Sequence, residues 1–131
     1  MKLSAFFAVA FLIPLSLHAY DPFSRPAYLT SSFGENRGTR YHAGIDYSTN
    51  MEEGWPVLAP ESGYVAQIRT SPFSYGRVLF FKGASGRTWV FAHQSGFYAR
   101  IDSAVYAAEY KSRHNDIVLD SPATAPFRTG D

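Results

Sequence analysis

Two residues with metal-ligand chemistry stand four positions apart, His42 and Asp46, within Arg40-Tyr41-His42-Ala43-Gly44-Ile45-Asp46-Tyr47. An imidazole nitrogen and a carboxylate oxygen together suit zinc. On an extended strand the two side chains would share a face but sit about 13 Å apart, too far for one ion. On a helix they would be neighbours. Gly44 and the run of Tyr and Ile argue against a helix. The pattern therefore predicts a bent loop running into a strand, with Gly44 permitting the bend. Spacing alone is weak, because a His and Asp pair is more often a loop hydrogen bond than a metal site.

The remaining chemistry-bearing residues are few. The other histidines are His18, His93 and His114. His93 ends an apolar run and, without other information, reads as a boundary histidine. His114, in Arg113-His114-Asn115-Asp116, reads as a solvated helix end rather than a zinc ligand. There is no cysteine, which excludes disulfides, iron–sulfur ligation and a thiol nucleophile. No Gly-x-Ser-x-Gly elbow supports a serine hydrolase. A formal net charge of +1 and a pI near 8.0 give no broad basic field for nucleic acid.

Around these residues the chain reads as one small domain of 131 residues, 46% of them hydrophobic. Lys2 followed by the apolar residues 3–17 resembles a secretory signal peptide, with Ala19 at the cleavage point. The run is short for a membrane span, and Pro14 would interrupt a core helix. Residues 20–29, with Pro22 and Pro26, form an extended lead-in. Residues 28–33 begin a first short strand, 34–41 a polar loop and 48–53 a polar turn. Residues 54–60 suit a β-edge and turn. Strands are expected over residues 63–69, 77–81, 88–93 and 117–119, the middle two joined as a hairpin. Period two would place Trp89, Phe91 and His93 on one face. A short helical insertion is expected near residues 102–112, capped by Asp102 or Ser103. The fold class is mainly β: a small antiparallel β-sheet domain. Nine Tyr and eleven Phe are most simply core and sheet-face residues, with a sugar or peptide groove as the lesser alternative.

The order of several segments adds a resemblance. Ser31-Ser32-Phe33-Gly34-Glu35-Asn36-Arg37 precedes the His42 to Asp46 segment. Gly54-Trp55-Pro56-Val57-Leu58-Ala59-Pro60-Glu61-Ser62-Gly63-Tyr64-Val65 follows it, then Tyr75-Gly76-Arg77-Val78 and Trp89-Val90-Phe91-Ala92-His93. Over residues 30–131 this resembles the lysostaphin/LytM-type zinc endopeptidases of peptidoglycan. The resemblance implies the duplicated hybrid β-fold and zinc held by His42 and Asp46. It implies a catalytic His93 in Phe91-Ala92-His93-Gln94, where the family has Tyr-x-His-Leu. Arg37 stands either at the groove rim or as a solvated loop arginine. Cell-wall peptide would be the substrate and the periplasm or cell envelope the location.

One family element is missing. The third zinc ligand and a second catalytic histidine come from a His-x-His segment, and these 131 residues contain none. The expectation is a chain truncated just before that segment, at Gly130-Asp131, that binds zinc weakly and is inactive alone. The alternative is a non-catalytic LytM-like envelope domain that binds or regulates wall-processing partners; retention of both His42 and Asp46 favours the enzymatic ancestry.

Export predicts that protein recovered from the envelope fraction begins at Tyr20. Intact-mass spectrometry checks this, and a product still beginning at Met1 would remove the signal-peptide assignment.

Overall fold

The computed structural model describes residues 20–120 and 126–130. The signal peptide expected over residues 1–19 lies outside them. Two antiparallel sheets and one helix make up the fold. β1 (Tyr28–Ser31) pairs with β2 (Asp46–Ser48) in a two-stranded sheet. β3 (Gly63–Thr70), β4 (Val78–Gly83) and β5 (Thr88–Phe91) form a meander. After α1 (Ala99–Ser112) the chain returns as β6 (Ile117–Asp120), antiparallel to β3, so the order is β5-β4-β3-β6. Among the described residues no helix is long and apolar enough to cross a membrane.

The larger sheet has one apolar face, and its register explains which residues reach it. Ile68 opposes Leu79 on one side and Leu119 on the other, while Phe81 lies between Val65 and Trp89. Val65 and Ile68 are three residues apart, yet both are buried. A bulge between Val65 and Gln67 accounts for this, since an extra residue in one strand shifts the alternation by one. That is why β3 alternates only in part at the level of sequence. Ile101 and Val105 of α1, four residues apart on one helix face, complete the core with Ala108 beside them. The opposite sheet face is polar and aromatic. There Gln67 Nε2 donates to Asp120 Oδ1 at 2.5 Å, and the Arg69 guanidinium lies 5.1 Å from the Phe80 ring centre.

The helix begins at Ala99, three residues before the expected start, and the expected cap is corrected. Tyr98 holds the N-cap position without a side-chain hydrogen bond. Asp102 instead sits one turn in. Its Oδ2 accepts the Phe97 N–H at 3.1 Å, and its Oδ1 accepts from Arg77 at 2.5 Å. A carboxylate here also complements the positive end of the helix dipole. The Arg77 guanidinium stacks 4.8 Å from the Phe97 ring centre, so the start of β4 and the start of α1 are pinned together.

Two other expectations change. Residues 54–60 form no strand; Leu58 there bonds to the lead-in segment instead. The polar residues 34–41 form the expected loop, closed by the isolated bridge between Asn36 and Tyr41. β5 ends at Phe91, and His93 adopts a left-handed backbone with φ of 58°, so it does not continue the Trp89 and Phe91 face.

Among the described residues the two sheets share no strand pairing. The lead-in segment joins them. The Tyr20 ring lies 5.4 Å from that of Trp89 on β5, and its hydroxyl donates to the Leu58 carbonyl. The Leu58 N–H donates to the Pro22 carbonyl at 2.9 Å. Phe23 then packs edge-on against Tyr47 of β2 at 5.9 Å and Trp55 at 5.5 Å. Burial, then repulsion from Tyr47 and Asp21, pushes the Tyr20 phenol up to about 12.

Glu61 locks the β4–β5 turn. Its carboxylate accepts Trp89 Nε1–H at 2.9 Å, the Ser85 hydroxyl at 2.7 Å and the Ser85 N–H at 2.8 Å. A Cβ on Gly83 would stand 2.2 Å from the Glu61 carboxyl carbon, so a larger residue there would displace this carboxylate. The Trp89 bond first, then the two Ser85 bonds, hold the Glu61 carboxyl below its ordinary 4.5. A depressed carboxyl stabilises the fold above the ordinary value, and that contribution disappears as pH falls through the native one. Thermal melts from about pH 3 to pH 7 are therefore expected to show an acid-side loss that Glu61→Gln flattens. An unchanged slope in the variant would show that other groups set the acid limit. A second expectation concerns Asp102→Ala, which leaves the half-buried Arg77 unpaired and is expected to cost about 1.5–3 kcal/mol in denaturant unfolding.

Candidate functional site

The small sheet builds the site. Tyr28 opposes Ser48 and Leu29 opposes Tyr47; after a bulge, Ser31 rather than Thr30 opposes Asp46. The displaced Thr30 reaches across with its hydroxyl to the Asp46 carbonyl at 3.2 Å. Ser31 and Asp46 are thereby the last and first residues of facing strands, at one end of the sheet.

Between them the chain folds into a tight excursion. The Gly34 N–H donates to the His42 carbonyl at 2.8 Å, and the His42 N–H returns to the Glu35 carbonyl at 2.8 Å. Asn36 pairs with Tyr41, and the Arg37 N–H donates to the Arg40 carbonyl at 2.9 Å. The turn closes with the Gly38 N–H on Asn36 Oδ1 at 2.8 Å, with Gly38 at a φ of 83° that favours glycine. These bonds fix His42 at the base of the excursion and swing Arg37 back over the sheet end.

Four side chains then close a ring. His42 Nε2 lies 3.2 Å from Asp46 Oδ1. Asp46 Oδ2 accepts from the Arg37 guanidinium at 2.5 Å. The same guanidinium nitrogen donates to Ser31 Oγ at 2.9 Å, and Ser31 Oγ lies 2.9 Å from His42 Nδ1. Glu35 stands outside the ring, accepting from the Ser31 hydroxyl and 3.9 Å from Arg37. The His42 side chain is mostly covered, at 13% exposure, while those of Arg37 and Asp46 remain 38% and 43% exposed. An ion pair this exposed contributes only about 0.2–1 kcal/mol to folding. The ring therefore orients side chains more than it stabilises the fold.

The hydrogen-bond roles around His42 restrict its chemistry. Nδ1 lies 3.1 Å from the Ser32 carbonyl, which can only accept. That contact assigns the ring proton to Nδ1. Nε2 then directs a lone pair at a carboxylate oxygen, two acceptors facing each other. Such a pair is satisfied by a second ring proton or by a cation shared between the two atoms. The 3.2 Å separation is within hydrogen-bond range and is also close to the roughly 3.3 Å between two ligands each about 2.0–2.1 Å from a tetrahedral zinc. A carbonyl behind the distal ring nitrogen is also the usual brace of a metal-binding histidine. His42 and Asp46 thus fit a divalent metal. At Gly44, where the chain bends, a Cβ would lie 3.6 Å from Nε2, an ordinary van der Waals contact.

The expected residues are placed as follows. His42 and Asp46 are brought together, in the loop-into-strand form their spacing suggests. Arg37 belongs to the site, since it binds Asp46 directly. His93 follows β5 with its ring exposed and its centre 6.4 Å from that of Tyr75. Its N–H donates to the Tyr75 carbonyl at 3.0 Å; no hydrogen bond or ion pair among the described residues joins it to His42 or Asp46. His114 lies exposed just past the left-handed Arg113 that ends α1. Among the described residues no three His, Cys, Asp or Glu side chains gather in a metal-holding group. Sequence reasoning missed Ser31, Glu35 and the Ser32 carbonyl. Antiparallel pairing of the first strand with the strand at Asp46 was the signal that would have brought Ser31 to the site.

Phe33, Tyr41 and Ile45 surround this end of the small sheet with their side chains largely in solvent. Comparison of the chain with protein-family models, with curated proteins and with solved structures gives no match.

Proposed function

We propose that the His42 and Asp46 pair is the metal-holding part of a zinc endopeptidase site of the lysostaphin/LytM type, acting on peptide bonds of cell-wall peptidoglycan. The observation that carries this reading is the Nε2 to Oδ1 separation of 3.2 Å, with Nδ1 braced on a carbonyl. The ordered motifs around the pair, and the mainly β architecture of antiparallel sheets, support it. In this reading His42 Nε2 and Asp46 Oδ1 bind the ion, Ser31 and the Ser32 carbonyl hold the ring, and Arg37 holds the carboxylate. A bound zinc supplies Lewis acidity toward a scissile carbonyl and toward water. The family resemblance gives the proton-accepting role to His93, whose imidazole is exposed on a loop end. Phe33 and Tyr41 offer exposed aromatic faces to a peptide or sugar beside the pair.

The second reading is a non-catalytic envelope domain that binds wall-processing partners. One observation favours it: Arg37 already balances the Asp46 charge. Metal uptake separates the two.

Because the 131 residues supply His42 and Asp46 but no His-x-His, weak saturable zinc binding and no wall hydrolysis are expected of this chain. Calorimetric titration with zinc and turbidity of purified cell walls check both. His42→Ala and Asp46→Asn are each expected to lower zinc affinity by more than the ~10–100-fold typical of an indirect partner. Appending a segment that carries a His-x-His pair is expected to raise affinity and to produce hydrolysis. Zinc binding that survives both substitutions would reject the pair as the site.

A further inference from the structure

We infer that Arg37 is a positioning residue for the metal site: it clamps Asp46 so that Oδ1 alone faces His42. This rests on the zinc reading above and adds to it a role for a cation, a residue type expected to oppose metal binding.

Three features of the ring carry the inference. First, the guanidinium occupies Asp46 Oδ2, and Oδ1 is the oxygen left opposite His42 Nε2. A carboxylate so held offers one ligand atom in a fixed direction rather than rotating between its two oxygens. Second, the same guanidinium nitrogen reaches Ser31 Oγ, which lies against His42 Nδ1. One residue therefore braces both ligands, from the sides that face away from their shared gap. Third, Arg37 is itself held, through its backbone bond to Arg40 and through Glu35 at 3.9 Å. Hydrogen-bond partners behind metal ligands commonly set affinity in this way.

The alternative physical effect has the opposite sign. Any nearby positive charge repels a divalent cation, so deleting Arg37 purely as a charge would strengthen metal binding. Arg40 serves as the comparison. It lies three residues away in the same turn, is exposed, and makes no side-chain hydrogen bond or ion pair among the described residues. Removing it changes the local charge by the same amount without touching the ring.

The test uses the full chain with zinc as the calorimetric probe and cobalt(II) as the spectroscopic one, alongside thermal melts without metal. Arg37→Ala and Arg37→Gln are expected to lower zinc affinity about 10–100-fold and to alter the cobalt visible spectrum, while metal-free melting stays near that of the parent. Arg37→Lys, which keeps the charge but not the planar fork, is expected to fall between them and the parent. Arg40→Ala is expected to leave affinity unchanged or slightly raised. Unchanged or tighter binding in Arg37→Ala and Arg37→Gln overturns the clamp and leaves the zinc reading intact. Failure of the parent chain to take up either metal overturns the zinc reading, and the clamp with it.

Discussion

The pairing of β1 with β2 is the constraint on which the site depends. Only three residue pairs join these strands, and a bulge before Ser31 decides which side chain faces Asp46. Had the register run on without it, Thr30 rather than Ser31 would oppose Asp46. A one-residue slip in a strand exchanges its two faces. Ser31 would then leave His42 Nδ1, and the ring of Ser31, Arg37, Asp46 and His42 would not close. The excursion over residues 34–41 depends on the same pairing, because its ends must meet where the two strands begin to separate. The chemistry of the site is in this sense a consequence of one irregular step in a short ladder.

A two-stranded ribbon is at best marginally stable in water, so this one needs outside support. The larger sheet has its own core of Val65, Ile68, Phe81, Ile101 and Val105 and is self-sufficient in that respect. The ribbon is tied to it by Tyr20 to Phe23, through aromatic contacts at Trp89, Tyr47 and Trp55 and the two hydrogen bonds at Leu58. The segment that follows the expected cleavage point is therefore structural. Its rings span from β5 to β2.

Much of this was legible in the sequence. The loop-into-strand form of His42 to Asp46 follows from Gly44 and the neighbouring aromatics, and β4, β5, β6 and most of α1 follow from periodicity. The rest depended on pairing between distant segments. The bulge in β3 is invisible until β4 is placed beside it, since a partly broken alternation has several explanations. Asp102 looked like a helix cap because it precedes the apolar positions; Arg77, far off in sequence, draws it into the first turn instead. The turn at His93 was hidden for a similar reason, since the apolar run to Ala92 gives no sign that the ladder stops at Phe91. Arg37 stood between a rim and a solvent role, and only the excursion that folds it back decides in favour of Asp46.

In the proposed function His42 Nε2 and Asp46 Oδ1 share one divalent ion. X-ray absorption at the zinc edge, on the chain loaded with less than one equivalent, tests it most directly. A shared ion gives a shell of nitrogen and oxygen at about 2.0–2.1 Å that includes the outer-shell scattering of one imidazole, a feature lost in His42→Ala. An all-oxygen shell without imidazole scattering, identical in parent and variant, would contradict it.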